Sequence, residues 1–309
     1  MEYGLILPTN QDNPASAAPL TGLAVEAEAL GFDSVWLGEP RPYGRLEPLT
    51  LLTALAQATR RVTLGTAALL PAYRDPAQTA LVLASLDLIA EGRLVLGVGA
   101  GFPGFGEQEF ERVGVRWKTR FSHLDDTVTL WREMWTSRPA SFHGKVLHYD
   151  RLPGAPRPAR PGGPPIWLAG ATPAALRRTA RLYDGWLPYP PDPEDYARGL
   201  ATIRAAAKRP VTPGLFATVF LDDDPERGER ALAGYCQANY GLPLERVRTI
   251  QTLLTGPDVA EQLARFAAAG ARHVQLRIAT VDPRVFDHQL IKVAELLSVL
   301  RRTLGDESP

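Results

Sequence analysis

The sequence predicts a (β/α)8 barrel, because strand and helix signals alternate from one end of the 309-residue chain to the other. The two clearest apolar runs, Val62–Ala67 and Leu94–Val98, are too short for helices and too apolar for half-exposed strands. They suit parallel strands buried on both faces, joined by the amphipathic stretch from Pro76 to Ala90. Small residues also gather where these runs end, at Gly65, Thr66, Ala67 and Ala68, and again at Gly97, Gly99, Ala100 and Gly101. An open doubly wound sheet is the alternative. It would carry a glycine-rich fingerprint at the first strand-to-helix turn, where Pro8–Asn13 has no glycine.

The elements follow in order. Tyr3–Leu7 reads as the first strand, and Ala17–Leu30 as a helix with Ala24, Ala27 and Leu30 on one face, closed by Gly31. Ser34–Leu37 is the second strand and Pro48–Ala58 the next helix; the two runs above are the third and fourth strands. Trp117–Trp135 has Phe121, Leu124, Val128, Trp131 and Trp135 at helical spacing. The Pro- and Gly-rich stretch Pro139–Pro164, with a hairpin signal at Ala140–Tyr149, reads as an excursion between strands four and five. Pro165–Ala169, Trp186–Tyr189, Thr212–Leu221 and His273–Ile278 complete the eight strands. Helices are expected at Pro173–Tyr183, Pro193–Ala207, Pro225–Tyr240, Pro257–Ala269 and Pro283–Leu300, each opened by proline. One domain over residues 1–309 accommodates all of this.

Composition narrows the function. Lys+Arg and Asp+Glu number 34 each, so no charge excess points to nucleic acid or an anionic membrane. The first residues enter a strand directly, and no apolar stretch approaches the roughly 20 residues that span a bilayer. With Cys236 as the lone cysteine, a cytoplasmic protein without disulfides or a cysteine-based metal site is expected. The five histidines show no metal-ligand spacing, so no metal is expected. Asp125-Asp126 reads as a solvated helix face, and Asp222-Asp223-Asp224 as a cap for the helix at Pro225.

In a barrel, chemistry sits in the loops after the strands. Gly170-Ala171-Thr172-Pro173 opens a helix with Thr172 as N-cap, a ready seat for an anion or an ordinary capped start. Gly97, Gly99 and Gly101, at alternate positions, either cradle a ligand or permit close packing. Glu39 at the end of the second strand is the candidate acid, base or cofactor partner; equally it can pair with Arg41, Arg45 or Arg74.

Several segments in fixed order then resemble the bacterial luciferase-like monooxygenase superfamily, above all its short F420- or FMN-dependent oxidoreductases. They are GFDSVWLGE (31–39), RVTLGTAALLPAYRDP (61–76), LDLIAEGRLVLGVGAGF (86–102), PPIWLAG (164–170) and ARLYDGW (180–186). EPLTLLTALAQAT (47–59), EFERVGV (109–115) and FHGKVLHY (142–149) extend the likeness over nearly the whole chain. The resemblance implies a (β/α)8 barrel holding FMN or F420 at the strand ends. A cis peptide at Ala67–Ala68 would stand behind the ring. Gly99, Ala100 and Gly101 would lie near the ring and its side chain, and Gly170, Ala171, Thr172 and Arg277 would take the phosphate. It further implies a separate flavin or F420 reductase and a homodimer, and an aromatic, apolar substrate end suits a hydrophobic small molecule. Aromatic residues Tyr43, Tyr73, Phe102, Phe105 and Trp186 would shape the substrate end.

Two departures stand out. Pro40 occupies the place of a catalytic histidine that many members carry after the second-strand glutamate, and Ala100 stands where luciferase-like FMN sites use arginine. The uncharged loop suits F420 better, and the proline makes a non-catalytic flavin-binding protein the alternative to an enzyme. An unrelated phosphate-binding barrel would show no affinity for either cofactor.

Overall fold

The computed structural model describes residues 1–9, 18–39, 46–102 and 106–305. In chain order the elements are β1 (Glu2–Ile6), α1 (Ala18–Ala29), β2 (Ser34–Leu37), α2 (Pro48–Ala58), β3 (Thr63–Leu69), α3 (Pro76–Ile89) and β4 (Leu94–Val98). Next come α4 (Glu107–Arg112), α5 (Arg120–Thr136), the hairpin β5 (Phe142–His143) and β6 (His148–Tyr149), then β7 (Ile166–Ala169), α6 (Pro173–Leu182) and β8 (Gly185–Leu187). The chain ends through α7 (Pro193–Ala206), β9 (Thr212–Phe220), α8 (Pro225–Tyr240), α9 (Leu244–Arg248), β10 (Thr252–Thr255), α10 (Val259–Ala268), β11 (His273–Ile278) and α11 (Pro283–Gly305).

Eight strands pair in parallel around a closed ring, β1-β2-β3-β4-β7-β8-β9-β11 and back to β1. The expected barrel is present, with the hairpin excursion between its fourth and fifth strands. One strand was not legible. β10 pairs with β9 over Ala217–Phe220, whereas β8 reaches only Thr212 and Pro213 of the same strand. It fills the wedge where β8 and β9 diverge. Its four residues follow a short helix and precede Gly256, so no periodicity marks them.

Tryptophans close the N-terminal end of the ring. Trp36 of β2 and Trp167 of β7 lie with ring centroids 5.4 Å apart, and His273 meets both rings edge-on. Glycines make room for them: a Cβ on Gly65 would fall 2.1 Å from Trp36, and one on Gly185 2.3 Å from Trp167. Four of the floor residues join in a polar chain, whereas the buried Nε1 of Trp167 has no partner among the described residues. Trp36 Nε1 donates to Ser34 Oγ (2.7 Å), Ser34 Oγ meets His273 Nε2 (2.8 Å), and His273 Nδ1 pairs with Glu2 (2.7 Å). A tryptophan ring removed from water this completely buries roughly 200 Å², worth about 5 kcal/mol as an upper figure. With the floor plugged, the ring opens above the C-terminal strand ends.

Outside the ring, α5 is locked to α3 by its indoles. Trp131 Nε1 donates to Pro76 O (2.9 Å) and Trp135 Nε1 to Ala80 O (3.0 Å). The excursion is tied down in turn, since Asp126 accepts from Val146 N (2.6 Å) and Leu147 N (3.0 Å). The expectation that Asp125 and Asp126 form a solvated face is therefore corrected: Asp126 is buried and holds the hairpin, and Asp125 binds Arg178, Arg181 and Tyr183.

Candidate active site

A cavity of about 1590 Å³ opens at the C-terminal ends of the strands. Single-ligand pockets run to roughly 300–1,000 Å³, so this space holds a cofactor and a second molecule together. The cofactor-binding residues selected from sequence line it together with Glu39: Ala67, Ala68, Gly99, Ala100 and Gly101 on one side, Gly170, Ala171 and Thr172 beside them, and Arg277. Tyr73, Phe102 and Trp186 of the aromatic set line it too. Pro40, Tyr43 and Phe105 lie outside the described residues.

The wall at β3 and β4 is flat because it lacks bulk. The Ala67–Ala68 peptide is cis, as the resemblance implied. A Cβ on Gly99 would meet Leu70, Ala68 and Ala169 only at ordinary contact distances of 3.6–3.9 Å, so this glycine borders open space. At the alternate glycines on either side of it a side chain would be crowded. A Cβ on Gly97 would sit 2.1 Å from Thr66 O, and one on Gly101, at φ +78°, 3.0 Å from Phe110. Of the alternate glycines, then, Gly97 serves packing and Gly101 serves a turn. Gly65, grouped with the strand-end residues, is space for Trp36.

Glu39 is held by its surroundings. Leu70 N donates to Oε2 (2.8 Å), and the Arg74 guanidinium reaches both carboxylate oxygens (2.9 Å each). Its backbone N–H donates to Ala68 O (3.3 Å). The glutamate thus braces the β3 end from two sides, with Arg74 in the pairing the sequence offered as the alternative to a catalytic role. Tyr73 stands nearby. Burial pushes its hydroxyl up to about 12, helped by the Glu39 and Glu109 charges, so it stays a neutral phenol able to donate.

At the β7 end, Thr172 Oγ1 accepts from Ala175 N (3.3 Å), and Pro173 begins α6 as expected. Gly170 takes φ +119°, a conformation glycine alone adopts without strain, and its carbonyl accepts from Trp186 Nε1 (2.8 Å). Trp186 is fully buried, so it holds this loop rather than presenting an open aromatic face. The first-turn N–H groups left over by capping are those from which a phosphate accepts. An uncharged, side-chain-poor wall beside a helix start fits a planar ring with a phosphate-bearing arm.

Arg277 occupies a different place. In the ring order β7-β8-β9-β11, its strand lies three positions from β7, across the mouth from the Gly170 loop. Its Nη2 donates to Thr218 Oγ1 (2.8 Å), Gln251 Oε1 (3.3 Å) and the Tyr240 hydroxyl, and the guanidinium lies over Phe216 (4.8 Å). Among the described residues no ion pair joins it to a carboxylate. Sequence reasoning missed this aromatic surround, because Phe216, Tyr235, Tyr240 and Gln251 come from β9, α8 and the segment before β10. The signal available was Arg277 at a strand end, without its partners.

The profile described as luciferase-like monooxygenase matches residues 1–275. An F420-dependent glucose-6-phosphate dehydrogenase of Nakamurella multipartita is 37% identical over 180 residues, 54% of this chain and 51% of that protein. The chain thus matches about half of that relative's length. A 5,10-methylenetetrahydromethanopterin reductase of Archaeoglobus fulgidus is 30% identical over 211 residues, 66% of this chain and 61% of the other. Among solved structures, monooxygenase RslO1 from Streptomyces bottropensis superposes with a TM-score of 0.77 at 25% identity, covering all of both chains.

Proposed function

The chain belongs to the luciferase-like monooxygenase family, and on that premise we propose that it is an oxidoreductase using F420 or FMN on a small, largely apolar organic substrate. One observation carries the reading: every residue chosen from sequence for cofactor binding lines a single cavity large enough for two ligands. When bound, either cofactor supplies hydride transfer, and reduced FMN can also activate oxygen.

The protein's part is positioning. The β3–β4 wall of Ala67, Ala68 and Gly99 receives the flat ring and keeps water from one of its faces. The start of α6, fixed through Thr172 and Trp186, takes the phosphate. Arg277, across the mouth, faces the second molecule and favours a substrate with a polar or anionic end beyond its apolar body. Glu39 and Arg74 hold the β3 end in place. Tyr73 is a neutral hydrogen-bond donor lining the same cavity, suited to orient a substrate oxygen. As in related proteins of the resemblance, a homodimer and a reductase delivering the reduced cofactor belong to the proposal.

Parallel fluorescence titrations with F420, FMN and reduced FMN test it. Saturable binding of one of them is expected, abolished by Gly99→Leu with an unchanged circular dichroism spectrum. No affinity for any of the three would overturn the reading.

A further inference from the structure

A second cavity, of about 470 Å³, lies outside the barrel between α5 and α6. It is lined by Arg177, Arg178, Arg181 and Lys145, with Asp125 and Asp126 as its carboxylates. Both acids are already committed. Asp126 accepts backbone N–H groups of the hairpin, and Asp125 is shared by Arg178 (3.2 Å), Arg181 (2.8 Å) and the Tyr183 hydroxyl (3.1 Å). Arg177 and Lys145 have no ion pair among the described residues, and both are exposed. Four cations against two carboxylates leave the trough with an excess of positive charge, and Arg177 and Lys145 are the cations outside its ion pairs.

This trough is continuous with the cofactor cavity. Ala174 and Arg178 line both. Ala174, Arg177, Arg178 and Arg181 stand at helix spacings of three, four and seven, hence on one face of α6. That face begins at the Thr172 cap and runs outward for about 13 Å. At the seam the guanidinium of Arg178 lies 4.7 Å from the Phe121 ring and that of Arg120 lies 4.4 Å from it. Arg120 lines the cofactor cavity and its Nε is buried without a partner. A ligand whose phosphate sits at the start of α6 would send any further arm past Arg120 and Arg178 into the basic trough.

The two cofactors differ at this point. FMN ends at its phosphate, whereas F420 continues through a phosphodiester into a chain of glutamates, each adding a carboxylate. We propose that the α6 trough, with Arg177, Arg181 and Lys145, is the seat of this oligoglutamate tail, and that the chain is built for F420. The proposal rests on the cofactor reading above and adds to it a second, electrostatic site. Asp125 fixes the arginines, which reduces the rotamer freedom they lose on binding a flexible anion.

The test is fluorescence titration of the full-length protein with F420 bearing no glutamate and F420 bearing five or six, at low and high salt. Low-salt affinity is expected to be at least tenfold higher for the long tail, and the gain should shrink in high salt as screening sets in. Arg177→Glu combined with Lys145→Glu should abolish the gain and act on it alone. Equal affinity of wild-type protein for both forms, or a gain that survives charge reversal, would overturn the tail site while leaving the cofactor reading intact. Absence of binding by either form would overturn the tail site and the assignment to F420, leaving the broader cofactor reading to the FMN titrations. The wild-type salt dependence decides the matter independently if the reversed variant is unstable.

Discussion

Glu39 shows how far a residue's chemistry depends on partners that sequence does not place beside it. It ends β2 and lines the cavity, yet both oxygens are taken by Arg74, 35 positions away, and by the Leu70 N–H. The Glu39 side chain is 8% exposed and that of Arg74 18%, so the pair behaves as an internal one. Arg74→Ala should cost about 3 kcal/mol, because it strands a carboxylate away from water. Glu39→Gln keeps an acceptor for Leu70 and should cost less. Urea denaturation of both variants checks the order; Arg74→Ala no weaker than Glu39→Gln would contradict the bracing role. The glycines teach the same lesson. Gly99 lines the cavity while Gly65 and Gly97 face Trp36 and Thr66, and residue type alone does not tell the three apart.

Element boundaries were legible where local chemistry sets them. Proline at the first helical position and a capping side chain mark α2, α3, α6, α7 and α8 alike, with Glu47, Asp75, Thr172, Asp192 and Asp224 accepting the first-turn N–H groups. What a helix does beyond its own turns was not legible. Glu28 of α1 accepts from the backbone N–H groups of Arg60, Arg61 and Val62, the segment that enters β3. Burial raises its affinity for a proton, but those three donors outweigh burial and hold its carboxyl below the ordinary 4.5. The folded state therefore binds this proton less readily than the unfolded chain does. Its stabilising effect is complete above the ordinary glutamate range and disappears as pH falls through the lowered value. Wild-type urea midpoints should fall between about pH 5 and pH 3 more steeply than those of Glu28→Gln. Parallel curves would show that Glu28 contributes nothing to the pH dependence. The short helices α4 and α9 and strand β10 escaped the sequence reading because none is long enough to establish a period.

At the scale of the molecule, the ring was legible because parallel strands buried on both faces appear as unbroken apolar runs. The direction in which it opens was not. That depends on Trp36 and Trp167 filling one end, each against a glycine on a neighbouring strand. Gly65→Ala should destabilise the barrel by about 1–3 kcal/mol, since the added methyl meets the Trp36 ring and neither strand can retreat. Thermal unfolding reads this, and an unchanged midpoint would mean that the floor is more compliant than its packing indicates. Among the described residues no helix is long and apolar enough to cross a membrane, and no cluster of His, Cys, Asp and Glu could hold a metal.

A crystal structure of the protein soaked with F420 examines this arrangement at its centre. The account expects the deazaflavin ring against Ala68 and Gly99, its phosphate at the Thr172 end of α6, and density for the tail beside Arg177. A phosphate bound at Arg277 instead, with the ring turned away from Gly99, would contradict it.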